Sequence, residues 1–340
     1  MTGARSRHAS HSDLPRKRGR WSPLIALATI SLFNFFGPAS AQDYPNRSIT
    51  MIVPFPPGGG NDTLARIVAT KLATALGQQV VVDNRGGANG TIAIRAAARA
   101  APDGYTLIFV NSSNTSITPA LNANVGYDAR RDFAPIGMLA SNSISIIAHP
   151  SFPPKTVAEL IVFAKSTPGK LNIGTSPPGS GSHLAAELFK ARAGIDVTLV
   201  PYKGAAALAN DVLGGHIPVV FSVPQAALGS IQAGQLRVLA VTATERIPLL
   251  PNVPTVAESM PGFEAVLRYG LLAPAGTPRP IIERINRELR TLVASDEVKV
   301  RIANEAGSAL TSTPEQYSAE IEREDALWGP LVRKLNIKVE

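Results

Sequence analysis

Apolar residues in this chain come in short runs bounded by Gly, Pro, Asn and Ser, and between those runs they recur at helical spacing. Residues 49–53 (ITMIV) read as a buried strand and 54–60 as a Pro/Gly loop. A helix is expected to start at Asn61 or Asp62, both good N-caps. Leu64, Ile67, Val68, Leu72 and Leu76 then share one helical face, which stops at Gly77. A strand at 79–82, a second Gly-rich loop at 83–91, an Ala-rich helix at 92–101 and a strand at 105–110 continue the alternation. A further apolar strand is expected at 143–148 and a helix at 156–166, where Thr156 and Glu159 have capping-box spacing. Strand 171–175 runs into the small-residue loop SPPGSGS (176–182) and another helix. Strands at 196–200, 218–222 and 236–241 alternate with helices at 205–213 and 225–233. From Arg279 the pattern is helical, with Ile281, Ile282, Ile285, Leu289 and Leu292 on one face and a last amphipathic helix at 314–335. These last helices read as structural. The class is α/β.

Two of the junctions have the same form: a strand, a small-residue loop, then a helix N-terminus. The first helical N–H groups have no intrahelical partner, and glycine lets a ligand approach the main chain closely, so such a junction suits an anion. A plain βα turn remains the alternative for either junction taken alone. The loop at 54–60 holds no Lys or Arg, so backbone dipoles would do the holding. NSSNTS (111–116) places hydroxyls and amides at the carboxyl end of a strand, where ligands sit in open α/β sheets; a solvated loop is the other reading. Tyr202 and Lys203 follow another strand end.

A hydrolase reading would make Ser180 or Ser182 a nucleophile and His183 its base. The loop is not a G-x-S-x-G elbow, however, and adjacent residues make an unusual nucleophile–base pair. Nucleotide binding at GGANG (86–90) lacks both the GxGxxG spacing and the later acidic residue.

The first 41 residues change the charge picture. Arg5, Arg7, Arg16, Lys17, Arg18 and Arg20 precede an apolar run at 21–36 and the small-residue sequence PASA (38–41), the pattern of a secretory signal peptide cut after Ala41. The whole chain carries +8, but without that leader 27 basic residues face 24 acidic ones, a net of +3. No basic face with interleaved aromatics points to nucleic acid. Cysteine is absent, which excludes thiol catalysis and disulfides, and His149, His183 and His216 lack metal-ligand spacing. No cofactor and no metal are expected.

LPNVPTVAE (250–258), PGFE (261–264) and APAGTP (273–278) resemble the extracytoplasmic solute-binding proteins of tripartite tricarboxylate transporters, the Bug-type receptors. The resemblance extends through Tyr44-Pro45, the 54–60 loop with Asp62 and Arg66, Asn84-Arg85, PDGYTL (102–107), GSHLA (181–185) with ELF (187–189), PYKG (201–204) and GGH (214–216). It implies a two-lobed periplasmic binding protein fold with two interlobe crossings and the ligand cleft between lobes. Lobe one is then 42–143 with a return at 263–340, and lobe two is 144–262.

The implied function is periplasmic capture of a small carboxylate-bearing solute, by a monomer that delivers it to membrane transporter subunits. A secreted serine hydrolase, or a sensor feeding a membrane kinase, is the alternative. Carried over by position, the ligand residues are Pro54, Phe55, Pro57, Gly58, Gly59, Asn61 and Asp62 at the first junction, and Thr175, Gly179, Ser180, Gly181, Ser182 and His183 at the second. Ser112, Ser113 and Tyr202 line the rest.

Two positions depart from the family pattern. Pro177 and Pro178 supply no N–H donors, which leaves donation to residues 179–182. Arg268 stands where an aromatic is usual, and it is expected to point to solvent rather than to clamp a second carboxylate.

Overall fold

The computed structural model describes residues 44–58, 60–122 and 124–335; the leader and cleavage site expected from the sequence lie outside them. Two sheets organise the described residues. The first has the order β11 (Gly307–Ala309), β4 (Phe133–Ser143), β10 (Val266–Pro274), β3 (Thr106–Asn111), β1 (Ile49–Val53), β2 (Val80–Asn84), and the second β7 (Thr198–Pro201), β6 (Asn172–Thr175), β8 (Val219–Ser222), β5 (Ser145–Ala148), β9 (Arg237–Val241).

The first sheet starts with β1 (Ile49–Val53), which lies between β2 (Val80–Asn84) and β3 (Thr106–Asn111) and is parallel to both. Helix α1 (Gly60–Leu76) links β1 to β2, and α2 (Thr91–Ala98) links β2 to β3. Because helices cover both faces, the inner strands are near-continuous apolar runs. Leu64, Val68 and Leu72 of α1 pack on one face, together with Ile282, Ile285 and Leu289 of α9 (Arg279–Ala294). On the other face Ala93 and Ile94 of α2 meet Tyr317 and Ile321 of α11 (Pro314–Leu335).

The chain reaches the second sheet along a single extended path. Strand β4 (Phe133–Ser143) belongs to the first sheet and β5 (Ser145–Ala148) to the second, so the one strand expected at 143–148 is two, broken at Ile144. After α4 (Val157–Ser166) comes β6 (Asn172–Thr175), parallel to β7 (Thr198–Pro201) and β8 (Val219–Ser222). Helix α5 (Gly181–Ala193) buries Leu184 and Phe189 against Phe221 and Phe263, while α6 (Ala205–Leu213) buries Leu208 and Val212 with Val220 in a separate cluster. A short helix, α7 (Leu228–Gln232), precedes β9 (Arg237–Val241). Beyond α8 (Val256–Ser259) the chain re-enters the first sheet as β10 (Val266–Pro274), antiparallel to both β3 and β4. Helix α10 (Asp296–Asn304) and the short β11 (Gly307–Ala309) lie before α11.

The two connecting paths are hydrogen-bonded to each other. The Ile144 N–H donates to Thr242 Oγ1 at 2.9 Å, the Thr242 N–H donates to Ser143 Oγ at 3.0 Å, and the Thr242 hydroxyl donates to the Ala265 carbonyl at 2.7 Å. Ser143 and Thr242 are both buried. Helix α11 falls in the expected 263–340 return to lobe one, yet it packs on both sheets. Its Trp328 and Val332 belong to the cluster that holds Leu184 and Phe189 of the second sheet. No helix among the described residues is long and apolar enough to cross a membrane.

Candidate functional site

At the first junction, Asp62 is a strut. It is 4% exposed; its Oδ2 accepts from the Gly58 N–H and from Arg66 Nε, each at 2.9 Å, and its Oδ1 accepts from Asn84 Nδ2 at 2.9 Å. Burial pushes the carboxyl pKa up, but the hydrogen bonds from Arg66, Gly58 and Asn84 outweigh it and hold Asp62 below its ordinary value. Asn84 Nδ2 also donates to the Phe55 carbonyl at 3.2 Å, which ties the loop to the end of β2. Asp62 therefore shapes the loop from behind, and its charge is already compensated.

Behind the second junction stands His183. The sequence PPGS (177–180) forms a turn closed by the Ser180 N–H donating to the Pro177 carbonyl at 3.0 Å, with Gly179 at φ 81°. Proline at the first central position and a left-handed glycine at the second suit a type II turn. Ser180 caps α5 by accepting from the His183 N–H at 3.4 Å, and the Gly179 N–H donates to His183 Nδ1 at 3.3 Å. Burial pushes the imidazole pKa below its ordinary value, in keeping with a neutral ring whose Nδ1 accepts. Ser182 is buried, and its Oγ accepts from the Ser176 N–H at 3.0 Å. With Gly179 and Ser180 engaged, the amides free to donate narrow from the expected 179–182 to Gly181 and Ser182, the first two helical N–H groups of α5.

Between the two junctions lies a cavity of about 610 Å³. The first junction contributes Pro54, Phe55 and Pro56, and the second contributes Pro177, Pro178, Gly179 and Ser180. Ser113, Asn114, Thr118 and Leu121 come from the segment after β3, a π-helical turn (Ser113–Ile117) running into α3 (Thr118–Leu121). Gly87, Ala88, Asn89 and Gly90, ahead of α2, complete the wall. Among the described residues that line it, none carries a charged side chain.

Of the residues expected from the sequence, Pro54, Phe55, Ser113, Gly179 and Ser180 are on this wall. Asp62, Ser182 and His183 stand behind it, as does Gly58, whose amide is held by Asp62. Pro57, Thr175 and Gly181 are also off the wall, and Gly59 lies outside the described residues. Asn61 reaches across to Asn111 Nδ2 at 3.5 Å. Ser112 turns inward, its hydroxyl donating to Glu324 Oε1 at 2.6 Å and accepting from the Arg268 N–H at 2.8 Å. Tyr202 donates to Asp211 Oδ2 at 2.8 Å and packs with Leu208 and Val212, away from the cavity.

The Gly-rich loop at 86–90 reaches the wall although no residue of it was singled out as ligand-binding. The sequence signal is its glycines, Gly86, Gly87 and Gly90; in the structure Ala88, Asn89 and Gly90 have positive φ, and a Cβ on Gly90 would lie 2.8 Å from Pro54 Cβ, so the loop packs against the first junction.

Arg268 is not in solvent. Its side chain is 13% exposed and lies 2.5 Å from Glu264, 3.1 Å from Glu320 and 3.5 Å from Glu324. Glu320 and Glu324 lie on α11, Glu324 being 56 positions further along the chain than Arg268. Among the described residues no group of three or more His, Cys, Asp and Glu is placed to hold a metal.

Residues 64–337 match the tripartite tricarboxylate transporter family receptor. The chain belongs to that family. Protein BugT of Bordetella pertussis (strain Tohama I) is 35% identical over 320 residues, covering 92% of this chain and 98% of BugT. Among solved structures, R. palustris Rpa4515 with adipate superposes with a TM-score of 0.71 at 34% identity, covering 86% of this chain and 98% of that one. MatC from Rhodopseudomonas palustris, with bound malate, gives 0.68 at 30% identity, covering 85% and 100%. The two-sheet α/β architecture is that of the family's periplasmic binding proteins, and the chain is a solute-binding receptor.

Proposed function

We propose that this receptor works in the periplasm, where it captures a small carboxylate-bearing solute in the cleft between its two sheets and presents it to the membrane subunits of a tripartite transporter. The observation that carries the reading is the cavity itself: loops from both sheets face one space, and the N-caps of α2 (Gly90) and α5 (Ser180) stand on its wall. A carboxylate there is met by main-chain N–H groups and by the positive ends of two helix dipoles. Adipate and malate in two relatives support the same ligand chemistry.

In this reading lobe one is 42–143 with 263–340 and lobe two is 144–262. The leader directs export, the receptor acts as a monomer without nucleic acid, and no catalytic step is involved. The arrangement around Ser182 favours binding over hydrolysis, because Ser182 Oγ accepts from Ser176 and His183 Nδ1 accepts from Gly179 rather than from a serine hydroxyl.

A thermal-shift panel of mono-, di-, tri- and aromatic carboxylates with their neutral amides tests the reading. A ligand at about 100 times its Kd stabilises by roughly 2.7 kcal/mol, a rise of a few degrees in Tm for a chain of this size. At least one carboxylate is expected to shift the midpoint while its amide does not. A flat panel on ligand-free, folded protein would overturn carboxylate capture.

A further inference from the structure

Resting on that receptor reading, we propose that Glu324 and Arg268 are positioning residues for the solute site: through the Ser112 hydroxyl they fix the turn that carries Ser113 and Asn114 onto the cavity wall. The chain of contacts is short and buried. Ser112 is 1% exposed and sits between β3 and the π-helical turn (Ser113–Ile117). Its hydroxyl accepts from the Arg268 main-chain N–H at 2.8 Å and donates to Glu324 Oε1 at 2.6 Å, and Glu324 in turn lies 3.5 Å from the Arg268 guanidinium. The turn has little slack to absorb a shift at Ser112. The Ser113 N–H donates to Asn111 Oδ1 at 3.0 Å, the Asn111 N–H donates to Asn114 Oδ1 at 3.2 Å, and the Tyr127 hydroxyl donates to the Asn114 carbonyl at 2.6 Å. Displacing Ser112 therefore displaces the wall.

The cluster behind Ser112 is built for geometry more than for stability. Arg268 is enclosed by Glu264, Glu320 and Glu324, and Arg323 joins Glu264 at 2.8 Å to Glu320 at 2.7 Å. Taking that many ionisable groups out of water often costs more than their pairing returns, whereas planar guanidinium groups with carboxyls around them admit few arrangements. Burial pushes the Glu324 carboxyl up to about 7, so below that pH it presents a neutral acceptor to Ser112 while Arg268 and Arg323 face Glu264 and Glu320. Glu264 also stands next to Ala265, whose carbonyl accepts from Thr242 on the second connecting path, so the same cluster reaches from the joint between the sheets to the wall. None of its charged members lines the cavity. Their effect on a solute is exerted through Ser112.

Three variants compared with the parent protein at about pH 6, below the Glu324 value, test this. Each is titrated calorimetrically with adipate and with malate, at a temperature where circular dichroism shows it folded. Glu324→Leu removes the acceptor, Ser112→Ala removes the hydroxyl, and Glu324→Gln keeps an acceptor of nearly the same shape. The first two are expected to bind about tenfold more weakly, and Glu324→Gln to stay within about twofold of the parent. In proton–nitrogen amide spectra the Ser113 and Asn114 signals are expected to move in Glu324→Leu and to hold in Glu324→Gln. Parent affinity in a folded Ser112→Ala protein, or Glu324→Gln binding as weakly as Glu324→Leu, would overturn the inference and leave the receptor reading standing. A parent protein that binds neither acid counts against the receptor reading. The amide signals then decide the positioning role by themselves, and Ser113 and Asn114 unmoved in Glu324→Leu would overturn it.

Discussion

Gly90 shows how tightly single residues are held around the cavity. With φ at 82°, and with the place of a Cβ 2.8 Å from Pro54 and 3.0 Å from Asn114 Nδ2, it is where the loop ahead of α2 presses on the first junction. Gly90→Ala is expected to cost about 1–3 kcal/mol from the left-handed backbone and the clash, read as a lower denaturation midpoint, and to weaken solute binding by moving Pro54. A variant with unchanged stability and affinity would mean that the two loops move independently. At this scale the sequence was informative about residue types and less so about directions. Asp62 was visible as an N-cap beside a glycine loop. That its carboxylate turns back to Gly58, Arg66 and Asn84 depends on Asn84, a residue 22 positions away that spacing alone does not bring near. Tyr202 is the same case, since its hydroxyl goes to Asp211 on the helix that follows.

Among the elements, α11 departs most from what its amphipathic pattern conveyed. An amphipathic helix is expected to carry its charges on the outer face, yet Glu324 is buried against Ser112 and Arg268, with Glu320, Arg323 and Glu264 in the same cluster. Burial first of all, opposed by the Ser112 hydrogen bond and by Arg268, pushes the Glu324 carboxyl up to about 7. The folded state thus holds this proton more tightly than the unfolded chain, whose Glu titrates near its ordinary value of about 4.3. The resulting stability is present below that value and is lost as pH rises through about 7. On the order of 3 kcal/mol is at stake across the window, and Glu324→Gln is expected to remove most of that slope. Urea midpoints of both proteins at pH 4.5 and 7.5 make the comparison, and parallel slopes would assign the pH dependence to other groups. Periodicity located the helix because one face is apolar. It was silent on the cluster because three of its members, Ser112, Glu264 and Arg268, come from segments far away in the chain.

For the whole molecule, the alternation of short apolar runs with helical faces conveyed the α/β class, and nearly every strand was legible. The exceptions, β10, β11 and the first part of β4, are antiparallel members that join the first sheet late or at its edge. Their neighbours are set by the long-range return of the chain, which local pattern does not encode. Thr242 gives the test at this scale. Its side chain joins the two connecting paths, so Thr242→Val is expected to leave the Ile144 N–H short of a partner, to remove the bond to the Ala265 carbonyl and to cost about 1–3 kcal/mol. Small-angle scattering with and without a binding carboxylate should then show a smaller change in radius of gyration than in the parent protein; an equal change would mean that closure does not depend on this bond.

The same pair of paths has a mechanical consequence. Two antiparallel straps fastened to each other at Ser143, Ile144, Thr242 and Ala265 are expected to act like the leaves of a door hinge, permitting bending about one axis and resisting torsion about the line joining the two sheets. A solute entering such a cleft meets jaws that can only shut or open. The wall residues Pro54 and Phe55 on one side and Pro177 to Ser180 on the other are then expected to meet in the same register on every closure, set by the joint rather than found anew by each ligand.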